Sequence, residues 1–268
     1  MLRSSDSRRH RGGLLALGII FAIVLSGFMA WSFVSLRRVA GAQYLITNVA
    51  KQTEIVCDEH IPAEVILENL GICTGANIAE IDFQKKREEL LKRIPGLLSL
   101  SITLQVPDRI HIEARERTPV ARLEIKGRKK SSGSVVDDNG RVFTRSAGTR
   151  MLPVIREKYP TKPGHDVKEK ALAAIDVIRL CNNDDFSDMR VLEIDAANRD
   201  FLSVVFSSYD RAKIAWRDMG KATSDLEELS TIMHNLQSAI RSKIDSRVQI
   251  WVAMDPKYIY ADTKEAIQ

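Results

Sequence analysis

Leu98-Ser99-Leu100-Ser101-Ile102-Thr103-Leu104-Gln105-Val106, followed by Pro107-Asp108 and then Arg109-Ile110-His111-Ile112-Glu113-Ala114-Arg115, carries the clearest pattern in this chain. In the first run every second residue is apolar, with Ser, Thr and Gln between. A period of two is that of a β-strand with one buried and one wet face. In the second run Ile110, Ile112 and Ala114 alternate with charged residues and His111. Two strands joined by Pro107-Asp108 make an antiparallel hairpin.

Upstream the period changes. Ala63, Ile66, Leu67 and Leu70 follow Pro62 at spacings that put them on one helical face, and Gly71 stands where a left-handed cap is wanted. Gly75-Ala76-Asn77 reads as a turn. Asp82 is placed to cap a second helix, with Phe83, Leu90, Leu91 and Ile94 on its apolar face and Pro95-Gly96 at its end. Tyr44 to Cys57, rich in apolar and β-branched residues, reads as a first strand. The order over about 45–116 is therefore β-α-α-β-β, with helices over one face of a small sheet.

Downstream the chain reads as a second, strand-rich α+β domain. Val120–Ile125, Val191–Ile194, Leu202–Phe206, Lys213–Trp216, Val248–Ala253 and Tyr258–Ala261 are strand candidates. Asp138-Asn139-Gly140-Arg141 reads as a type I′ hairpin turn. Asp166 and Glu169 are spaced as a capping box for a helix running to about Cys181. A longer helix, about Ser224 to Lys243, carries the stripe Leu226, Leu229, Met233, Leu236 and Ile240. Asp184-Asp185 and Asp255-Pro256 read as turns.

The chain has 268 residues and a net charge of +5. The charge is uneven. Up to Arg38 lie six of the 40 basic and one of the 35 acidic residues, which leaves 34 of each from Val39 onward. A nucleic-acid reader would carry the excess on its folded body, so that class is excluded. The excess instead flanks Leu14–Leu36, an uncharged run of 23 residues. As a helix this run is about 35 Å long, enough to cross about 30 Å of hydrocarbon. It is read as a single transmembrane helix with residues 1–13 as a cytoplasmic tail, since four arginines precede it and two follow. The competing reading is a signal peptide cleaved at Ala40-Gly41-Ala42, but its apolar core would be shorter.

Motifs of chemistry are scarce. The five histidines never fall at His-Glu-x-x-His spacing, and Gly-x-Ser-x-Gly, Ser-x-x-Lys and phosphate-binding glycine loops do not occur. No catalytic, cofactor-binding or metal-binding residue is assigned. Cys57, Cys73 and Cys181 are three thiols, or two of them a Cys57–Cys73 bridge; the spacing does not choose. Arg128-Lys129-Lys130 reads as a wet hairpin tip, with contact to anionic lipid or wall polymer as the alternative. What remains is a surface. Lys257-Tyr258-Ile259-Tyr260-Ala261, the last strand, offers an edge to which an extended peptide can add, and aromatic side chains favour binding. The competing reading is that these aromatics close the core.

The order Leu70-Gly71-Ile72, Thr74-Gly75-x-Asn77, Ile81-Asp82 and Ile94-Pro95-Gly96 resembles a POTRA domain. The continuation through Val106-Pro107-Asp108, Ile110-x-Ile112 and Glu116-Arg117-x-Pro119-Val120-Ala121 is similar to the FtsQ/DivIB family of bacterial cell-division proteins. So are Val135-Val136-Asp137-Asp138-Asn139-Gly140-Arg141-Val142-Phe143 and Leu152-Pro153-Val154-Ile155. The resemblance implies a POTRA domain at 44–117, an FtsQ-type β domain at 118–262 and a short tail at 263–268. It implies a non-catalytic scaffold at the division septum, anchored in the inner membrane with its body outside the cytoplasm. It would link early and late division proteins, and bind FtsB, and FtsL through it, to influence septal peptidoglycan synthesis. By position, the strand-addition site falls on Lys257, Tyr258, Ile259, Tyr260 and Ala261, flanked by Trp251 and Arg247. The chain has Gln249-Ile250-Trp251 where many members read Asp-Leu-Arg, and it lacks their frequent glycine in the first strand. An anchored periplasmic enzyme, a wall-binding module and a POTRA-bearing secretion or assembly component are the alternatives. No cofactor, small-molecule substrate or nucleic acid is expected.

Overall fold

The structure, a computed structural model, describes residues 25–32, 44–105, 109–127, 133–145, 147–243 and 250–262. The fold is α+β, with two compact units. Residues 25–32 are helical and exposed, with the rings of Phe28 and Trp31 6.2 Å apart. Residues 1–13, most of the apolar run 14–36 and residues 263–268 lie outside the described residues. Among the described residues no helix is long and apolar enough to cross a membrane.

The smaller unit comprises residues up to Val56 with Ala63–Lys86 and Ser101–Glu113. The elements of this part of the chain are α1 (Val49–Gln52), β1 (Thr53–Cys57), α2 (Ala63–Leu70), a 3₁₀ turn at Ile78–Glu80, α3 (Phe83–Arg93), β2 (Leu97–Gln105) and β3 (Arg109–Glu116), of which Cys57, Arg87–Leu100 and Ala114–Glu116 belong to the larger unit. The boundary between the units runs through α3 and the strand ends. The strands form one sheet in the order β1-β3-β2. Helix α2 ends as its sequence predicts. Gly71 has φ +76°, its N–H donates to the Glu68 carbonyl, and the Ile72 N–H donates to the Leu67 carbonyl. These two bonds close a Schellman motif. Asp82 accepts from the Lys85 N–H, so the cap on α3 is also formed.

Two expectations are corrected here. The first strand does not run from Tyr44: Leu45 makes an isolated bridge to Asn77, Val49–Gln52 is a helical turn, and the strand begins at Thr53. Gln52 is the reason. Its buried side-chain oxygen accepts from the N–H groups of Thr47 and Asn48, at 2.7 and 2.8 Å, which folds the chain back on itself. The alternation of β2 also breaks at its start. Leu97 and Leu100 are buried while Leu98 and Leu104 are exposed, so two residues separate the buried pair instead of one. Residues 106–108, which hold the expected Pro107-Asp108 turn, lie outside the described residues.

The larger unit holds β4 (Pro119–Ile125), β5 (Ser134–Asp137), β6 (Val142–Thr144), β7 (Val154–Glu157), α4 (Glu169–Cys181), β8 (Val191–Asp195), β9 (Leu202–Phe206), β10 (Arg211–Ile214), α5 (Leu226–Arg241), β11 (Ile250–Asp255) and β12 (Tyr258–Asp262). The nine strands make one mixed sheet in the order β12-β11-β10-β9-β8-β7-β4-β5-β6. Helix α4 joins the parallel pair β7 and β8, and α5 joins the parallel pair β10 and β11. Parallel neighbours need such a crossover. Both helices bury their apolar faces in one core cluster with Ile155, Ile194, Val204, Phe206, Ile214 and Trp251.

On β4, β7 and β8 charged side chains pair across strands. Arg156 holds Glu193 through two bonds of 2.6 and 3.0 Å and lies 3.6 Å from Glu124. The bond to Glu193 raises the Arg156 pKa against the opposing effect of burial. A forked pair of this kind also fixes cross-strand register.

The hairpin at 138–140 differs from its predicted type. Only Gly140 has positive φ there (+82°), so the turn is not type I′. The Gly140 N–H donates to the Asp137 carbonyl and the Asp137 N–H to the Arg141 carbonyl, leaving a three-residue loop with glycine in the left-handed position. The Asp166–Glu169 capping box does not form either. Lys168 is the N-cap residue, without a side-chain bond, and Asp166 pairs instead with Arg141 at 3.1 Å. In α5 the stripe is Leu229, Ile232, Met233 and Leu236; Leu226 is exposed. Strand β10 covers 211–214, two residues earlier than its pattern suggests at each end. Asp184 and Asp185 are exposed in a 3₁₀ turn, Asp184–Phe186, whose Phe186 is buried. The three thiols are free: Cys73 is exposed, Cys57 half-buried, and burial pushes the Cys181 thiol up to about 12.

Candidate partner-binding edge

Strand β12 is the outermost strand at one end of the nine-stranded sheet, and β6 is outermost at the other. The two ends are finished differently. The β6 edge is covered by backbone: the Val142 N–H donates to the His165 carbonyl, and the Gly164 N–H donates to the Val142 carbonyl. No comparable backbone bond covers β12 among the described residues. An edge strand left open in this way presents unpaired N–H and C=O groups to any extended chain that approaches.

The expected site residues divide by face. Tyr258 and Tyr260 are 59% and 60% exposed, with ring centroids 6.4 Å apart. Ile259, on the opposite face, is half-buried and packs against the core. Ala261 is exposed and pairs with Trp251. Lys257 lies in the β11–β12 turn, where its N–H donates to Asp255 Oδ1 at 2.7 Å. Trp251 is packed in the core, so it holds β11 in place and presents no surface. Arg247 lies outside the described residues.

The turn accounts for the shape of the edge. Neither Pro256 nor Lys257 has positive φ, so their two-residue link is not one of the primed turns that leave a regular ladder. The β11–β12 register shifts between Val252 and Asp255 instead. Such a shift adds local twist to the outer strand.

Three features near this edge, two of them contacts, had no signature in the sequence. Asn235 of α5 donates to the Pro256 carbonyl at 2.7 Å, fixing the turn to the helix. Met254 adds an exposed apolar side chain next to the turn. Lys243, just beyond α5, pairs with the buried Asp210 at 2.8 Å. Burial pushes the Asp210 carboxyl up, but hydrogen bonds from Lys243 and Ser208 and the Lys243 charge outweigh it, and the pKa falls below its ordinary value. The Trp251 indole N–H lies near enough to help stabilise that carboxylate, though it makes no hydrogen bond of its own among the described residues.

A carboxylate with a lowered folded pKa contributes stability above its unfolded pKa, and the contribution is lost as pH falls through the folded value. Lys243→Met keeps the aliphatic stem and leaves Asp210 buried without its cation. The expected cost is about 2 kcal/mol at pH 7, below the about 3–5 kcal/mol of a fully buried pair because Lys243 is partly exposed. Below about pH 4 the gap between native and variant should shrink as Asp210 protonates. Urea denaturation at the two pH values measures this. An equal gap at both would show that the pair does not act through charge.

No group of three or more His, Cys, Asp or Glu converges as a metal site among the described residues. No protein-family profile matches the chain, and no curated protein is similar enough to stand as a relative.

Proposed function

We propose that the chain is a non-catalytic membrane scaffold of the bacterial division machinery, of the FtsQ/DivIB type, which holds a partner by strand addition at β12. The open β12 edge carries this reading. It is the one end of the large sheet that no described backbone covers, and it bears two exposed tyrosines. Main-chain bonds along such an edge give affinity, and the alternating side chains give selectivity. The motif order from Leu70 to Ile155 and the uncharged run Leu14–Leu36 support the same assignment.

In this reading residues 14–36 anchor the chain, 44–117 act as a POTRA domain, and the partner is a small single-pass protein of the FtsB type, with FtsL bound through it. The scaffold acts by position, holding its partners at the septal membrane where wall synthesis is controlled. The test is capture from bacterial membranes with the full chain. The expected catch is small single-pass coiled-coil proteins of the division machinery. A catch without any division protein would reject the assignment.

A further inference from the structure

A cleft of about 580 Å³ opens in the larger unit, to which all of its lining residues belong. Its apolar walls include Ile61, Pro95 and Phe143, and its charged groups are His60, Arg93, Glu116 and Arg145. Gly96 lies close beneath them: a Cβ there would sit 3.6 Å from the Phe143 ring and 4.0 Å from Ile61. This volume lies within the range of small-molecule and peptide-side-chain pockets.

The charges in the cleft are not equivalent. Glu116 is committed to the protein. Its Oε1 accepts the N–H groups of His60 and Ile61 at 2.8 and 2.7 Å, its Oε2 lies 3.4 Å from His60 Nδ1, and its side chain is only 9% exposed. Arg117, close by in sequence, is satisfied by Asp137 at 2.6 Å and the Pro95 carbonyl. Arg145 is not matched in this way. Among the described residues it makes no salt bridge. Its Nη1 reaches only the Arg117 carbonyl at 3.4 Å, and its Nη2 lies 3.0 and 2.9 Å from the two ring nitrogens of His60. Its Nε is buried and has no acceptor among the described residues. A guanidinium has five donors in a fixed fork that matches the two oxygens of a carboxylate.

We propose that this cleft binds the terminal carboxylate of a peptide, with Arg145 as its counter-ion and an aliphatic last side chain against Ile61, Pro95 and Phe143. The proposal is independent of the β12 edge, which shares no residue with it. The test uses the full chain in detergent micelles and a ligand-detected NMR titration. The probes are N-acetyl-Gly-Pro-Leu as the free acid and as the carboxamide. The acid should bind at least about tenfold more tightly than the amide, and Arg145→Gln should bring the acid down to the level of the amide. The acid–amide comparison is made on the native chain and therefore stands whether or not the Arg145→Gln chain folds. Equal binding of acid and amide, no binding of the acid up to about 10 mM, or a preference unchanged in folded Arg145→Gln would each overturn the proposal.

Discussion

Replacing Gly220 by alanine is expected to unfold the larger unit or to leave it only marginally stable. Gly220 lies between β10 and α5 with φ +79°, and a Cβ there would fall 1.8 Å from the Glu169 carbonyl oxygen and 2.5 Å from its carbon. The obstacle is backbone at the first turn of α4, so no side-chain rotation relieves it. Helix α4 cannot retreat, because Ala171, Ala173, Ala174 and Ile175 are buried in the core. The left-handed conformation alone costs a non-glycine residue about 1–2 kcal/mol. The displacement of a packed helix brings the total to about 4 kcal/mol or more, against a domain stability of about 5–15 kcal/mol.

Gly148→Ala separates the two contributions. Its φ is +72°, but nothing lies within 4 Å of the added methyl group, so only the conformational cost of about 1 kcal/mol applies. Gly140→Ala should fall between them, because there the methyl group meets the side chains of Leu172 and Val167 at 2.6 and 3.1 Å, and side chains can yield. Chemical denaturation followed by tryptophan fluorescence ranks the three, with Trp216 and Trp251 both buried in the larger unit. A Gly220→Ala chain as stable as Gly148→Ala would show that α4 is not held against this loop.

Tyr258→Lys with Tyr260→Lys should abolish partner capture while leaving the fold intact. Both side chains are more than half exposed, so little core packing is lost. Lysines on an edge strand oppose the addition of another strand, and the two aromatic rings are the largest exposed apolar groups on β12. Hot-spot losses of about 2 kcal/mol or more per residue predict a loss of affinity of at least about a hundredfold. Trp251→Lys is not an equivalent variant, since its indole is in the core and its loss would damage the sheet itself. An affinity of the double variant within a few-fold of native would move the docking site away from β12.

Where local chemistry decided the structure, the residues announced it. The Schellman end of α2 at Gly71 and the Asp82 cap both rest on neighbours within five positions. Misreadings arose where a side chain found a partner its pattern did not announce, near or far. Asp166 forgoes the capping box because Arg141, 25 positions away, takes its carboxylate. Tyr44–Cys57 is interrupted because Gln52 turns inward. The same holds for the sites. The alternation of β12 was visible, but its place at the end of the sheet follows from the parallel pairing of β10 with β11, which no local pattern encodes. The cleft was invisible because His60 and Arg145 are 85 positions apart.

The most direct test of strand addition is hydrogen–deuterium exchange of the backbone amides in Tyr258–Asp262, in the full chain alone and with the captured partner bound. An added strand satisfies outward-facing N–H groups that are now open, so exchange in β12 should slow by at least about tenfold while the already covered Val142–Thr144 edge is unchanged. Partner binding with no added protection in β12 would contradict the account, and would place the docking surface elsewhere on the chain.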